Sequence, residues 1–229
     1  DMVAETAETG AIPMLVGGDT SMIYPGVKGV ARARGKTSFG LLQLNAHPDA
    51  ERFGDHTVSD RRSMFLLLDE GIVSGSDTIQ VGLRGPAVTV ETLQWLRDRE
   101  VRYHTMAEIQ QRGFQAVLER VLREVDNGPD AFFVSIDVSV MNPTDMPAAG
   151  RITPNGLRVE EVARAVRQVC AEKDIAGFEI TDMAPMMDLS RLSVLNANSI
   201  LNACLIGIAL RKTGLDSNYV HPLALDHGR

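Results

Sequence analysis

Short, nearly continuous apolar runs alternate with helix-periodic segments along this chain, and the alternation predicts an α/β fold. The expected form is a three-layer α/β/α sandwich with a mainly parallel, doubly wound sheet. Three observations carry that expectation. The apolar runs show little polar alternation, as suits strands covered on both faces. The segments between them repeat apolar residues at helical spacing. Finally, polar clusters fall just beyond the ends of the runs, where an open parallel sheet builds its site.

In order along the chain, the strand-like runs are 12–18, 39–46, 78–84, 131–140 and 175–183. The helical segments are 22–34, 60–70, 90–99, 115–126 and 159–172, followed by a long helix over 192–212. Val117, Val121, Leu122 and Val125 share one helical face, as do Val162, Ala163, Val166 and Val169. The chain is expected to enter its first strand almost directly and to end in a tail over 216–229. Neither an internal repeat nor a low-complexity segment interrupts the pattern.

The sequence has 229 residues, a length that suits one sizeable domain over 1–229 with a full core. Its 44% hydrophobic and 23% charged content is ordinary for a globular protein. A formal charge of −7 argues against a nucleic-acid surface, which needs clustered Lys and Arg. Apolar runs are broken well before the roughly 20 residues of a membrane span, so no membrane partner is expected. The opening ten residues are acidic and polar, so no signal peptide is expected in them. Cys170 and Cys204 fall in amphipathic helices and suit buried thiols better than a disulfide. A cytoplasmic location follows as an expectation.

Asp19, His47, Asp137 and Asp182 each follow an apolar run, so four strands aim polar ends at one crevice. Taken alone, His47-Pro48-Asp49 reads as a strand end. Asp19 and Thr20 suit a helix cap, and Ser139 suits a local backbone hydrogen bond. A buried Asp137 would need a partner, which His47 could supply as a charged pair. His104, His221 and His227 gather no constellation and read as structural or surface residues. The stretch from Met183 to Met187 reads as core or interface.

Three motifs, in order, add a further layer: Gly17-Gly18-Asp19-Thr20-Ser21, Asn45-Ala46-His47-Pro48-Asp49 and Ser135-Ile136-Asp137-Val138-Ser139. Together they resemble the ureohydrolase family of arginases and agmatinases, whose motifs read GGDHS, DAHxD and SxDxD. Gly82-Leu83-Arg84-Gly85, Asn142-Pro143 and Pro147-Ala148-Ala149-Gly150 extend the similarity over nearly the whole chain. The resemblance implies an arginase-like sandwich whose amino-terminal part is missing from this sequence. It also implies a pair of divalent ions held by two His and four Asp. His47, Asp49 and Asp137 match ligand positions. Thr20, Asn45 and Ser139 stand where the family has a His and two Asp. His56, in Gly54-Asp55-His56-Thr57, matches a proton-shuttling loop, and Asp182 replaces a cation-binding Glu with a shorter acid.

Two carboxylates balance one dication, and Asn45 and Ser139 are weak neutral ligands. Without two ions, a bridging water loses most of the acidity that makes it a nucleophile. The resemblance therefore implies residual ligands without a bound metal, and a vestigial His56 and Asp182. Family members assemble as trimers and hexamers. The expected role is a non-catalytic subunit of a heteromeric enzyme hydrolysing a guanidine, biguanide or amidine C–N bond. That arrangement is similar to two-component metformin-type hydrolases, with Mn or Ni in the intact partner chain. Two alternatives remain open: an active agmatinase-like amidinohydrolase with one ion or an altered site, and a sensor that binds guanidinium compounds without turnover.

Overall fold

A computed structural model describes residues 2–36, 38–52 and 57–220. Its centre is a sheet of six strands: β1 (Met14–Val16), β2 (Gly40–Leu44), β3 (Thr78–Leu83), β4 (Arg102–Thr105), β5 (Ala131–Asp137) and β6 (Asp174–Thr181). The strand order is β1-β6-β5-β2-β3-β4, and every neighbouring pair is parallel. Residues of β2, β3 and β5 are buried throughout, which accounts for their unbroken apolar runs.

Alternate residues of each strand feed two cores. Phe132, Val134 and Ile136 point into one, together with Leu42, Leu44, Ile79 and Val81. There they meet α6 (Phe114–Asp126), α7 (Val159–Glu172) and α8 (Leu192–Thr213). Leu41, Phe133 and Ala176 point the other way, against α2 (Ile23–Arg34), α3 (Ser63–Asp69) and α4 (Val90–Asp98). This is the three-layer parallel arrangement expected from the alternation.

Helix starts follow local chemistry. The Thr89 hydroxyl caps α4 by accepting from the Thr92 amide at 3.2 Å. At α7, the Arg158 amide donates to Glu161 at 2.8 Å, the return half of a capping box. Along α6, Val117, Val121 and Val125 form the buried stripe expected from their spacing, joined by Leu118, while Leu122 is only partly buried.

Several elements differ from expectation. The chain opens with a helix, α1 (Met2–Glu8), packed on α2, rather than entering a strand. Strand β4 and the short helix α5 (Met106–Arg112) carry no distinctive apolar run. Residues 138–140 leave the sheet as a 3₁₀ turn, because the Asp137 carboxylate caps the Ser139 amide at 2.8 Å. Helix α8 is long and apolar enough by composition to cross a membrane, which run lengths had not indicated. In the fold it lies against α7, burying Ala197, Ile200, Ala203, Cys204 and Gly207. Gly207 permits the approach, since a Cβ there would lie 2.6 Å from the Arg167 carbonyl oxygen. Cys170 and Cys204 are buried free thiols, with sulfurs 3.6 Å apart across this contact.

Candidate functional site

The carboxyl ends of β1, β6, β5 and β2 are adjacent in the sheet, so their polar residues meet. Thr20, Asn45, Asp49, Asp137 and Ser139 are all buried there. Asp49 and Asp182 occupy left-handed backbone conformations, φ 48° and 64°. Asp side chains tolerate these turns better than most. Both turns are held by the backbone: the Asp49 carbonyl accepts from the Met64 amide at 3.1 Å, and the Asp182 amide donates to Gly18 at 2.9 Å.

The organising side chain is Arg151, which the motif comparison did not single out. Its Nη1 donates to Asp49 Oδ1 at 2.8 Å. Its Nη2 lies 2.9 Å from Thr20 Oγ1, 3.3 Å from Asp49 Oδ2 and 3.4 Å from Asp137 Oδ2. The side chain is 19% exposed, and those of Asp49 and Asp137 are 1% and 0% exposed.

Thr20, Asn45 and Ser139, singled out by the motif resemblance, complete the same network. The Thr20 hydroxyl donates to Asp137 Oδ2. The Asn45 side-chain Nδ2 donates to Asp49 Oδ2 at 2.6 Å. Asn45 Oδ1 accepts from the His47 amide at 2.9 Å and the Ser139 hydroxyl at 3.2 Å. Thr20 and Ser139 thus act across the site, rather than only as a cap and a local turn. The cap in the first motif is Asp19, whose Oδ1 accepts from the Ser21 amide at 2.9 Å.

His47 does not pair with Asp137, contrary to the charged pair considered above. Its Nε2 lies 3.0 Å from Thr153 Oγ1, and its Nδ1 lies 3.4 Å from Ser139 Oγ. Burial lowers its pKa to about 4, helped by Arg151, Arg84 and Arg61, so the ring is neutral. Asp137 takes its donors from Thr20, the Ser139 amide and Arg151 instead.

Burial raises the Asp49 carboxyl to about 8, against the opposing pull of Arg151. On Arg151, burial disfavours charge, but Asp49 and Asp137 outweigh it and raise the guanidinium further. The two partners thus push opposite ways, and the two-pronged contact decides for an ion pair. The Asp182 carboxyl is raised to about 7 by burial and by Asp137. Its Oδ2 accepts from the Arg151 amide at 3.0 Å, and its carbonyl accepts from Gly150 at 2.7 Å. A Cβ on Gly150 would come within 2.6 Å of Asp182 Oδ1, so glycine sets this close approach. Asp182 fixes the turn from which Arg151 enters the site. His56, His221 and His227 lie outside the described residues.

A second arginine braces the surrounding loops. Arg84 leaves the end of β3 and directs its guanidinium at six backbone carbonyls. Nε donates to Pro154 at 2.8 Å, and Nη2 to Ser139 at 2.8 Å, Thr153 at 2.6 Å and Met141 at 3.2 Å. Nη1 reaches Val140 at 3.2 Å and Gly82 at 3.3 Å. Burial lowers Arg84 to about 10. These contacts join the loops that carry Ser139 and Thr153, the two neighbours of His47. Outside this region, His104 is buried between Glu108 at 3.1 Å and Glu124 at 2.9 Å, so it does have a constellation, on the far edge of the sheet. Met186 and Met187 are exposed rather than in the core.

His47, Asp49, Arg151 and Thr153 line one side of an open cleft of about 1250 Å³, also lined by Arg52, Arg61, Thr89 and Gln110. Among the described residues, no three His, Cys, Asp or Glu side chains converge as a metal-binding group. The present arrangement does not fit a dication, because the Asp49 oxygens and Asp137 Oδ2 face Arg151.

The arginase family profile matches residues 1–207, and the chain belongs to the arginase family. Formimidoylglutamase from Bacillus subtilis strain 168 is 29% identical over 199 residues, covering 87% of this chain and 62% of the relative. Guanidinopropionase from Pseudomonas aeruginosa is 27% identical over 191 residues, covering 81% and 57%. The crystal structure of the B. subtilis formimidoylglutamase superimposes with a TM-score of 0.83 at 27% identity, over 91% of this chain and 66% of that one. The chain thus spans somewhat under two thirds of the curated relatives' length.

Proposed function

We propose that this chain is a non-catalytic subunit of a heteromeric ureohydrolase-type assembly, in which an intact family member hydrolyses a guanidine, biguanide or amidine C–N bond. One observation carries the reading: the Arg151 guanidinium binds the carboxylates of Asp49 and Asp137. A positive side chain there competes with any dication, and the activated water of a binuclear site depends on two such ions. Thr20, Asn45 and Ser139 support it, because their neutral side chains serve the hydrogen-bond network rather than opposing it. On this reading Mn or Ni resides in the partner chain, and this chain contributes fold and contact surface.

The experiment is to purify the chain alone and co-expressed with an intact arginase-family chain from the same organism. Hydrolysis of biguanide, guanidino and amidine substrates is then assayed for each. Activity confined to the co-expressed particle supports the proposal, and turnover by the isolated chain removes it.

A second reading, an amidinohydrolase with one ion or an altered site, is favoured by the open cleft beside His47 and Asp49. It requires Arg151 to withdraw. About one Mn or Ni per isolated chain, together with turnover, would select it.

A further inference from the structure

The buried acceptors around Arg151 are positioned by other groups. Asp137 Oδ1 is held by the Ser139 amide at 2.8 Å, and Asp137 Oδ2 by the Thr20 hydroxyl. Asp49 Oδ2 is held by Asn45 at 2.6 Å, and Asn45 in turn by the His47 amide at 2.9 Å. Such a cradle does not need Arg151 to aim its oxygens. Those oxygens suit a flat, singly charged donor. Asp49 presents both oxygens to Nη1 and Nη2, while the Thr20 oxygen accepts from Nη2 at 2.9 Å. This fork matches a guanidinium and no spherical cation. A dication would find only two carboxylates there, with Asn45 and Ser139 as weak neutral ligands.

We propose that this centre is a guanidinium receptor whose resident ligand is the chain's own Arg151, and that a free alkylguanidinium takes the same place once that side chain is cut back. The inference does not depend on the heteromeric role; it holds with or without a partner chain. Arg151 is held in the site by its own backbone, through the Asp182 carboxylate and the tight Gly150 turn. Its side chain borders the cleft, which offers a path for a small cation from solvent. A tethered guanidinium also supplies a charged partner for two buried carboxylates.

The test is Arg151→Ala, followed by thermal melting with ethylguanidinium chloride, which replaces the atoms removed beyond Cβ. Ethylammonium chloride at equal ionic strength is the control. The variant is expected to melt below wild type. Saturating ethylguanidinium is expected to raise its Tm by about 3 °C or more while leaving wild type unmoved. Ethylammonium should produce less than half of that rise. An equal shift in wild type, an equal effect of ethylammonium, or no effect on a folded variant would overturn the proposal. If Arg151→Ala does not fold, wild type dialysed against Mn²⁺ or Ni²⁺ carries the test. Under 0.1 ion per chain is expected, and a stoichiometric ion overturns it.

Discussion

Arg151 Nη1 and Nη2 reach the two carboxylate oxygens of Asp49 at 2.8 and 3.3 Å, joining residues 102 positions apart in sequence. Asp49 itself is almost wholly buried. Removing the guanidinium therefore strands a buried carboxylate, a change that typically costs about 3–5 kcal/mol. Arg151→Ala is expected to lower unfolding free energy by about 3 kcal/mol in urea titrations. Arg151→Lys should lose less, because it keeps the charge but not the fork. Equal stability of Arg151→Ala and wild type would show that the pair contributes nothing.

Arg84 makes a different prediction, since it serves six carbonyls and no carboxylate. Arg84→Ala leaves several acceptors without donors, at a cost of about 2–4 kcal/mol. The loss should centre on the loops at 139–141 and 153–154. Amide exchange should accelerate at Met141 and Leu157, whose amides are bonded within this region. Destabilisation without local acceleration would argue against a clamp.

Most of the sheet was legible in the sequence because β2, β3 and β5 are covered on both faces and so are nearly all apolar. Strand β4, Arg102-Tyr103-His104-Thr105, is a partly exposed edge with no such run, and only its place beside β3 makes it a strand. The site was legible in its location and in Asp49 and Asp137, because local motifs carry them. Arg151 was not. It follows the recognised Pro147–Gly150 loop by one residue, and nothing local distinguishes it from a surface arginine. Only the fold brings it to Asp49 and Thr20.

Burial, and secondarily Asp137, raises the Glu179 carboxyl from 4.5 to about 8. Its Oε1 accepts from Ser135 at 2.6 Å, and its Oε2 has no partner among the described groups. Between those pH values the folded chain keeps a proton that the unfolded chain releases. The stability from this group is whole below the unfolded value and is lost as pH climbs through the folded one, at up to about 1.4 kcal/mol per pH unit. His47 acts oppositely: its value falls from 6.5 to about 4, so its contribution grows across that interval. Wild-type stability should thus decline from pH 6.5 to 8, and Glu179→Gln should decline less steeply. Denaturation at three pH values checks this, and parallel slopes for the two proteins would refute it.

Introducing the ligands that the motif resemblance implies tests the competition between arginine and metal. Thr20→His, Asn45→Asp and Ser139→Asp combined should gain Mn²⁺ only weakly while Arg151 remains. Adding Arg151→Gly to this triple variant should raise Mn²⁺ affinity at least tenfold by calorimetric titration. Equal affinities would mean that Arg151 does not occupy the cation position.

Anomalous diffraction from crystals of the unaltered chain soaked in Mn²⁺ tests the central claim most directly. The expected map has guanidinium density between Asp49 and Asp137 and no anomalous peak there. Fully occupied peaks beside His47 and Asp49, with Arg151 swung into the cleft, would contradict it.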